Sequence, residues 1–192
     1  MNFDITVLYL QMANINDKVI NAALKLAQLK GWENVSVRML AKEIGYSTMK
    51  IYSDFGSKEQ LLFEIQKKGF TKLDKIYKST VSASKAPEVN LEGIVLAHVR
   101  FALDHPTYYE LMFDHKFNDC KTKAATIKQQ VGKIFFDVVA SIGVADPKTA
   151  FLQIFAMLYG YIKMSTDLAD HEKVFKEATI KQMVQNFIHG IK

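Results

Sequence analysis

Two Asp-His pairs stand ten residues apart, Asp104-His105 and Asp114-His115, with Asp119 and Cys120 close behind. Carboxylate, imidazole and thiolate groups bind zinc-like metals and also act as acids, bases and nucleophiles. A helical metal site needs ligands at i and i+4, so that two side chains converge from one face. Neither pair has that spacing, and His105 stands directly before Pro106, where it is expected to cap a helix. The chain has no nucleophile elbow, phosphate loop or dinucleotide fingerprint. The expectation is a protein that is not an enzyme, with no catalytic residue, bound metal or cofactor; metal sensing is the lesser alternative.

A second set of residues suits a polyanion. Ser36 and Ser47 precede short apolar-periodic segments, where an N-cap leaves backbone N–H groups and the helix dipole facing outward. Arg38, Tyr52 and Lys58 add a guanidinium, a hydroxyl and an ammonium around one turn, Gly45-Tyr46-Ser47. Between them, Ile51 and Phe55 are one helical turn apart and point inward. Thr48, Met49, Lys50 and Ser53 are then left outward or partly so. A short helix showing small, polar and basic groups is what the DNA major groove admits. Any one of these residues alone reads more simply as a cap or a solvated charge. Their register around one glycine turn favours DNA.

The elements that must hold this set are helical throughout. Asn16 is the expected cap of a first helix carrying Ile20, Ala23, Leu24 and Ala27, ended by Gly31; Trp32 is expected to pack on it. Ser36 to Ile44 and Ser47 to Phe55 form the next two helices, with Ala41 small where they cross. Ser57, with Gln60 three residues on, opens a fourth helix running toward Val81. Residues 82–90, which include Pro87, read as a linker. Behind it come Leu91–Asp104, Pro106–Phe113, Lys121–Ile142, a helix opened by Asp146-Pro147 and running to about Leu168, and Glu172–Ile188. The expected fold is all-α with about nine helices, four before the linker and five after it. The expected division is an N-terminal extension over 1–15, a helix-turn-helix domain over 16–62 and a helical domain over 63–192.

The run VSVRMLAKEIGYSTMKIYSDFGSKEQLL resembles the DNA-binding signature of the TetR (tetracycline-repressor-like) family of bacterial regulators. The resemblance rests on Ser36-Val37-Arg38, Leu40-Ala41, Ile44-Gly45, Ser47, Ile51-Tyr52, Phe55 and Ser57-Lys58-Glu59. Arg100-Phe101-Ala102, His105-Pro106 and Leu111-Met112-Phe113 resemble one of that family's ligand-domain types. Three positions depart from the family pattern. Met49 stands where glycine is usual, Tyr46 where a smaller aliphatic residue is usual, and Asp54 where histidine is common. The bases read by this helix are therefore not given by the family pattern.

The resemblance implies a homodimer bound to a palindromic operator, most simply a repressor released by a small effector. An effector pocket would lie between the rear helices, with His98, Phe101, Tyr108, Phe113, Phe136, Met157 and Tyr161 as candidate walls. Their aromatic character suits a bulky, apolar or planar molecule. Phe151, Phe155, Leu158 and Ile162, with Ile180, Met183, Val184 and Phe187, are the candidate dimer residues, because both helices read as apolar on two faces. The alternative is that both faces bury within one monomer. A DNA-organising or partner-binding role is the other reading of the helix-turn-helix.

Charge and composition agree with this reading. Residues 1–80 hold 12 Lys/Arg against 8 Asp/Glu, whereas residues 81–192 hold 13 against 12, so the basic excess lies with the candidate DNA-binding part. One cysteine, Cys120, cannot form an internal disulfide and suits a reducing compartment. The longest apolar run, Ala150 to Ile162, is too short for a bilayer span. The N-terminal run lacks the basic start of a signal peptide, and Met12 is a possible alternative start. The expected location is cytoplasmic, with no membrane partner.

Overall fold

The structure is a computed structural model that describes residues 5–113, 124–167 and 176–191. Nine α-helices and one 3₁₀ turn are found among them. The helices are α1 (Ile5–Lys30), α2 (Val37–Ile44), α3 (Thr48–Phe55), α4 (Lys58–Thr80) and α5 (Pro87–Asp104), then α6 (Pro106–Phe113), α7 (Ala124–Ala140), α8 (Pro147–Asp167) and α9 (Glu177–Ile191). The 3₁₀ turn, Trp32–Asn34, lies between α1 and α2. The Asp-His pair at 114–115, Asp119 and Cys120 lie outside the described residues.

The head is α1 to α3 with the start of α4. Ser36, Ser47 and Ser57 each accept a hydrogen bond from the backbone N–H three residues on, at Met39, Lys50 and Gln60. Gly45 closes α2 in the left-handed conformation, φ 70° and ψ 28°, which a β-carbon would strain. Val37, Leu40 and Ala41 from α2 and Ile51 and Phe55 from α3 bury against α1 and α4.

Asn16 does not cap α1. No glycine or proline stands between Ile5 and Lys30 to stop the helix, so it runs through Asn16 from Ile5. The linker is likewise shorter than expected. Pro87 occupies the first turn of α5, and Asn90 is buried within that helix. Its side chain accepts from the Ser82 N–H at 3.0 Å and donates to the Ser82 carbonyl at 2.8 Å, closing the loop from α4. At α8, Asp146 is the expected cap, accepting from the N–H groups of Lys148 and Thr149.

In the body, α4 packs on α5, α6 and α7, and α5 also meets α8 and α9. Arg100 to Glu177, 2.6 Å, and Lys181 to Glu92, 3.5 Å, run between α5 and α9. The outer side of α9 carries Gln182, Gln185, Asn186 and His189. Its apolar residues fall within one arc: Ile180 and Val184 are buried, Phe187 and Ile188 are half-buried against the chain's own core, and Met183 is half-buried beside them. The reading of α9 as apolar on two faces is therefore corrected to one. On α8 the apolar character does extend around the helix. Leu158 and Ile162 are buried, yet Leu152 is 66% exposed and Met164 65%.

Helix α6 sits close against α4 at Gly69. A β-carbon there would overlap the buried Met112 sulfur and lie 3.0 Å from the Tyr108 ring. Glycine inside a helix costs about 1 kcal/mol relative to alanine, so only the close approach accounts for it. In Gly69→Ala the overlap is expected to cost about 1–3 kcal/mol and the better helix propensity of alanine to return about 1, a net loss of up to about 2 kcal/mol. Urea unfolding measures this; a raised midpoint would contradict the packing.

Candidate functional site

Two regions stand out: an outward face on α3 and the junction of head and body. On α3, Met49 is 79% exposed, and Thr48, Tyr52 and Ser53 are exposed beside it. Exposed Ser36, Arg38 and Ser47 and half-buried Lys58 surround them. The structure thus brings the nine candidate DNA-binding residues together on α2, α3 and the start of α4. Lys50 is less free than its sequence position suggests. Its Nζ donates to Asp54 Oδ1 at 2.6 Å, one turn along the same helix. Lys25 pairs with Glu43 at 2.7 Å, tying α1 to α2, and Lys68 pairs with Asp17, tying α4 to α1.

Trp32 is fully buried at the junction of head and body. Its indole N–H donates to the Thr107 carbonyl in α6 at 3.0 Å. From the other side, Gln66 in α4 donates to the Leu111 carbonyl at 2.7 Å. Helix α6 is therefore held by side-chain donors from both sides. These bonds were not readable from sequence, because the acceptors are backbone groups 75 and 45 residues away.

Beside α6 lies a cavity of about 470 Å³. Ala27, Gln28 and Gly31 from α1 and its end form one wall, Thr107, Tyr109 and Phe113 line α6, and Tyr159, Ile162 and Lys163 come from α8. Of the seven candidate pocket residues, only Phe113 lines it. Phe101 and Tyr108 are buried in the core, and Phe136, Met157 and Tyr161 are half-buried around it. Ile162, a candidate dimer residue, also faces the cavity. Tyr109 and Tyr159 were missed. One residue along a helix turns the side chain by about 100°, so choosing Tyr108 over Tyr109 selects a different wall.

His98 is buried behind that wall. Its Nδ1 lies 2.5 Å from the Tyr77 hydroxyl and its Nε2 3.1 Å from the Tyr109 hydroxyl, with Phe113, Phe135 and Phe155 packed around the ring. Burial keeps the imidazole neutral, lowering its pKa to about 4. Burial also raises both tyrosines, and Tyr159 adds to the effect at Tyr109. A neutral ring donates once and accepts once. Were Nδ1 the donor, the hydroxyl proton of Tyr77, which is 1% exposed, would face no acceptor among the described residues. The favoured arrangement has Tyr77 donating to Nδ1 and Nε2–H donating to Tyr109. The spare hydroxyl proton then belongs to Tyr109, the residue on the cavity wall.

His105 caps α5, its N–H donating to the Phe101 carbonyl at 2.9 Å, and its ring packs on Phe101. Among the described residues no group of three or more His, Cys, Asp or Glu side chains could hold a metal, and no helix is long and apolar enough to cross a membrane.

Residues 19–65 match the family model described as bacterial regulatory proteins, tetR family. Residues 91–186 match the tetracyclin repressor-like C-terminal domain. The chain is 23% identical over 177 residues to the uncharacterized HTH-type transcriptional regulator YobS of Bacillus subtilis (strain 168), covering 90% of each. Its fold resembles that of the TetR family transcriptional regulator PfmR from Thermus thermophilus at TM-score 0.71, with 19% identity, 91% of this chain and 98% of that one. A tetR-family bacterial regulatory protein from Rhodococcus RHA1 gives TM-score 0.74, with 17% identity, 92% of this chain and 96% of that one.

The neutral His98 gives a signed pH effect. The unfolded chain protonates it as pH falls through 6.5, the folded chain only near 4, so stability falls across that window. At pH 4 the loss from this group reaches about 3 kcal/mol. Urea unfolding of the wild type between pH 7 and pH 4 is expected to lose that much more than His98→Gln does. Equal losses would show that His98 is not held neutral.

Proposed function

This chain belongs to the TetR family of transcriptional regulators, and on that premise we propose that it is a homodimeric, ligand-released repressor of a palindromic operator. It acts in the cytoplasm, with α3 of each copy in successive major grooves. The observation that carries effector release is the cavity at the hinge, because its walls belong to both head and body. An occupant seated between α1 and α6 turns the head about the Trp32–Thr107 contact, which stays made. The two reading helices of a dimer must stay about 34 Å apart, or slightly more, to meet one face of the duplex, so a small rotation at each hinge breaks the fit.

The cavity's chemistry narrows the effector. Ala27, Ala102, Pro106, Phe113 and Ile162 suit an apolar or planar body, and the spare Tyr109 proton calls for a hydrogen-bond acceptor on it. The volume lies within the range of small-molecule sites. The dimer face is the outer side of α8, where Leu152 and Met164 are exposed and Gly160 lets another backbone approach. Leu158, Ile162, Ile180 and Val184 are buried within the monomer and support that face from beneath.

Light scattering at micromolar concentration is expected to give twice 21.8 kDa, and Leu152→Glu combined with Met164→Glu the monomer mass. A wild-type mass near 21.8 kDa would end the dimer reading. Trp32 is the chain's one tryptophan and stands at the hinge, so its emission should shift with any compound that releases the operator. A releasing compound that leaves it unchanged would place the effector elsewhere.

A further inference from the structure

The carboxylate of Asp54 is largely buried and has a single side-chain partner among the described residues. It lies in the last turn of α3, facing the negative end of the helix dipole. Its side chain is 8% exposed, and Oδ2 is buried with no hydrogen-bond partner. A lysine four residues before an acid is also the weaker order for a helical pair. Lys67, Lys68, Lys72 and Lys75 line the hollow between α1 and α4 with Asp54. Lys68 pairs with Asp17, Lys67 with Glu64 at 3.5 Å, and Lys72 lies 6.0 Å from the Tyr108 ring centre, so none of these is within ion-pair distance of Asp54. The cation bound to Asp54 is Lys50, at 2.6 Å, with its own side chain 43% exposed.

We propose that Asp54 is a specificity-determining residue that holds the Lys50 ammonium as a fixed donor toward a base edge. This rests on α3 being the helix that reads DNA. Lysine has three N–H donors, and Asp54 takes one, leaving two for guanine O6 and N7 or another acceptor on the groove floor. Moving Lys50 to a phosphate would strand a buried carboxylate, and one exposed phosphate contact offsets little of that loss. Lys50 therefore stays with Asp54 when DNA binds. Asp54 touches no base itself, since Oδ1 is taken and Oδ2 faces inward. It acts through Lys50 as a positioning residue.

The test is a double-mutant cycle of wild type, Asp54→Asn, Lys50→Ala and the double variant. Each is measured against duplexes that the wild-type chain selects from a random pool, and against random-sequence duplex of equal length, over a salt series. Asp54→Asn should bind random duplex more tightly, steepen the salt slope by about one phosphate, and reduce the selected-to-random ratio about tenfold. In the Lys50→Ala background the same change should alter that ratio less than twofold. An unchanged ratio in Asp54→Asn would overturn the proposal. So would an equal change with Lys50 absent, which would mean that Asp54 acts on DNA by its own charge. If the wild-type chain selects no sequence, it is the reading role of α3 that fails. Circular dichroism of each variant confirms that the helices are retained.

Discussion

A buried indole N–H must find an acceptor, and for Trp32 that acceptor is the Thr107 carbonyl in α6. Leaving such a donor unmet costs on the order of 1–3 kcal/mol, so the end of α1 and the start of α6 are constrained to stay together. Gln66 imposes the matching constraint from α4 on Leu111, and Gly69 lets α6 approach α4 closely enough for it. The small head, whose α2 and α3 are eight residues each, depends on this docking for its orientation. Helices that short are not stable alone.

The same constraint makes the cavity informative. A hollow elsewhere on the body could hold a ligand without the head sensing it. This one has the end of α1 on one side and α6 on the other. The His98 cluster sets the chemistry of the inner wall, because a neutral ring between two tyrosines leaves one hydroxyl proton over, on Tyr109. Packing, hydrogen bonding and site chemistry thus converge on one helix of eight residues.

What sequence showed follows from which interactions are local. Ser36, Ser47, Ser57 and Asp146 act on backbone three residues away or less, and Gly45 acts on its own dihedral angles, so each was readable. The start of α1 was misread because a good cap residue does not start a helix where nothing interrupts the one already running. The linker was overextended because Asn90 closes its loop from inside α5. The aromatic residues of the body could be assigned to helices but not to walls. Tyr108 against Gly69 and Tyr109 against the cavity differ only in which neighbour the tertiary fold places there. Likewise, apolar spacing in α9 showed a buried stripe, while its width needed the structure. The Lys50–Asp54 pair is the opposite case: its spacing is local, and only its burial had to be seen.

In the proposed complex two copies of α3, held at a set distance by docked heads, read DNA together. Selection of duplexes from a random pool by the full-length chain tests it most directly. An inverted repeat is predicted, with half-site centres one helical turn apart or slightly more. Recovery of a single unrepeated site, or of no preferred sequence at all, would contradict it.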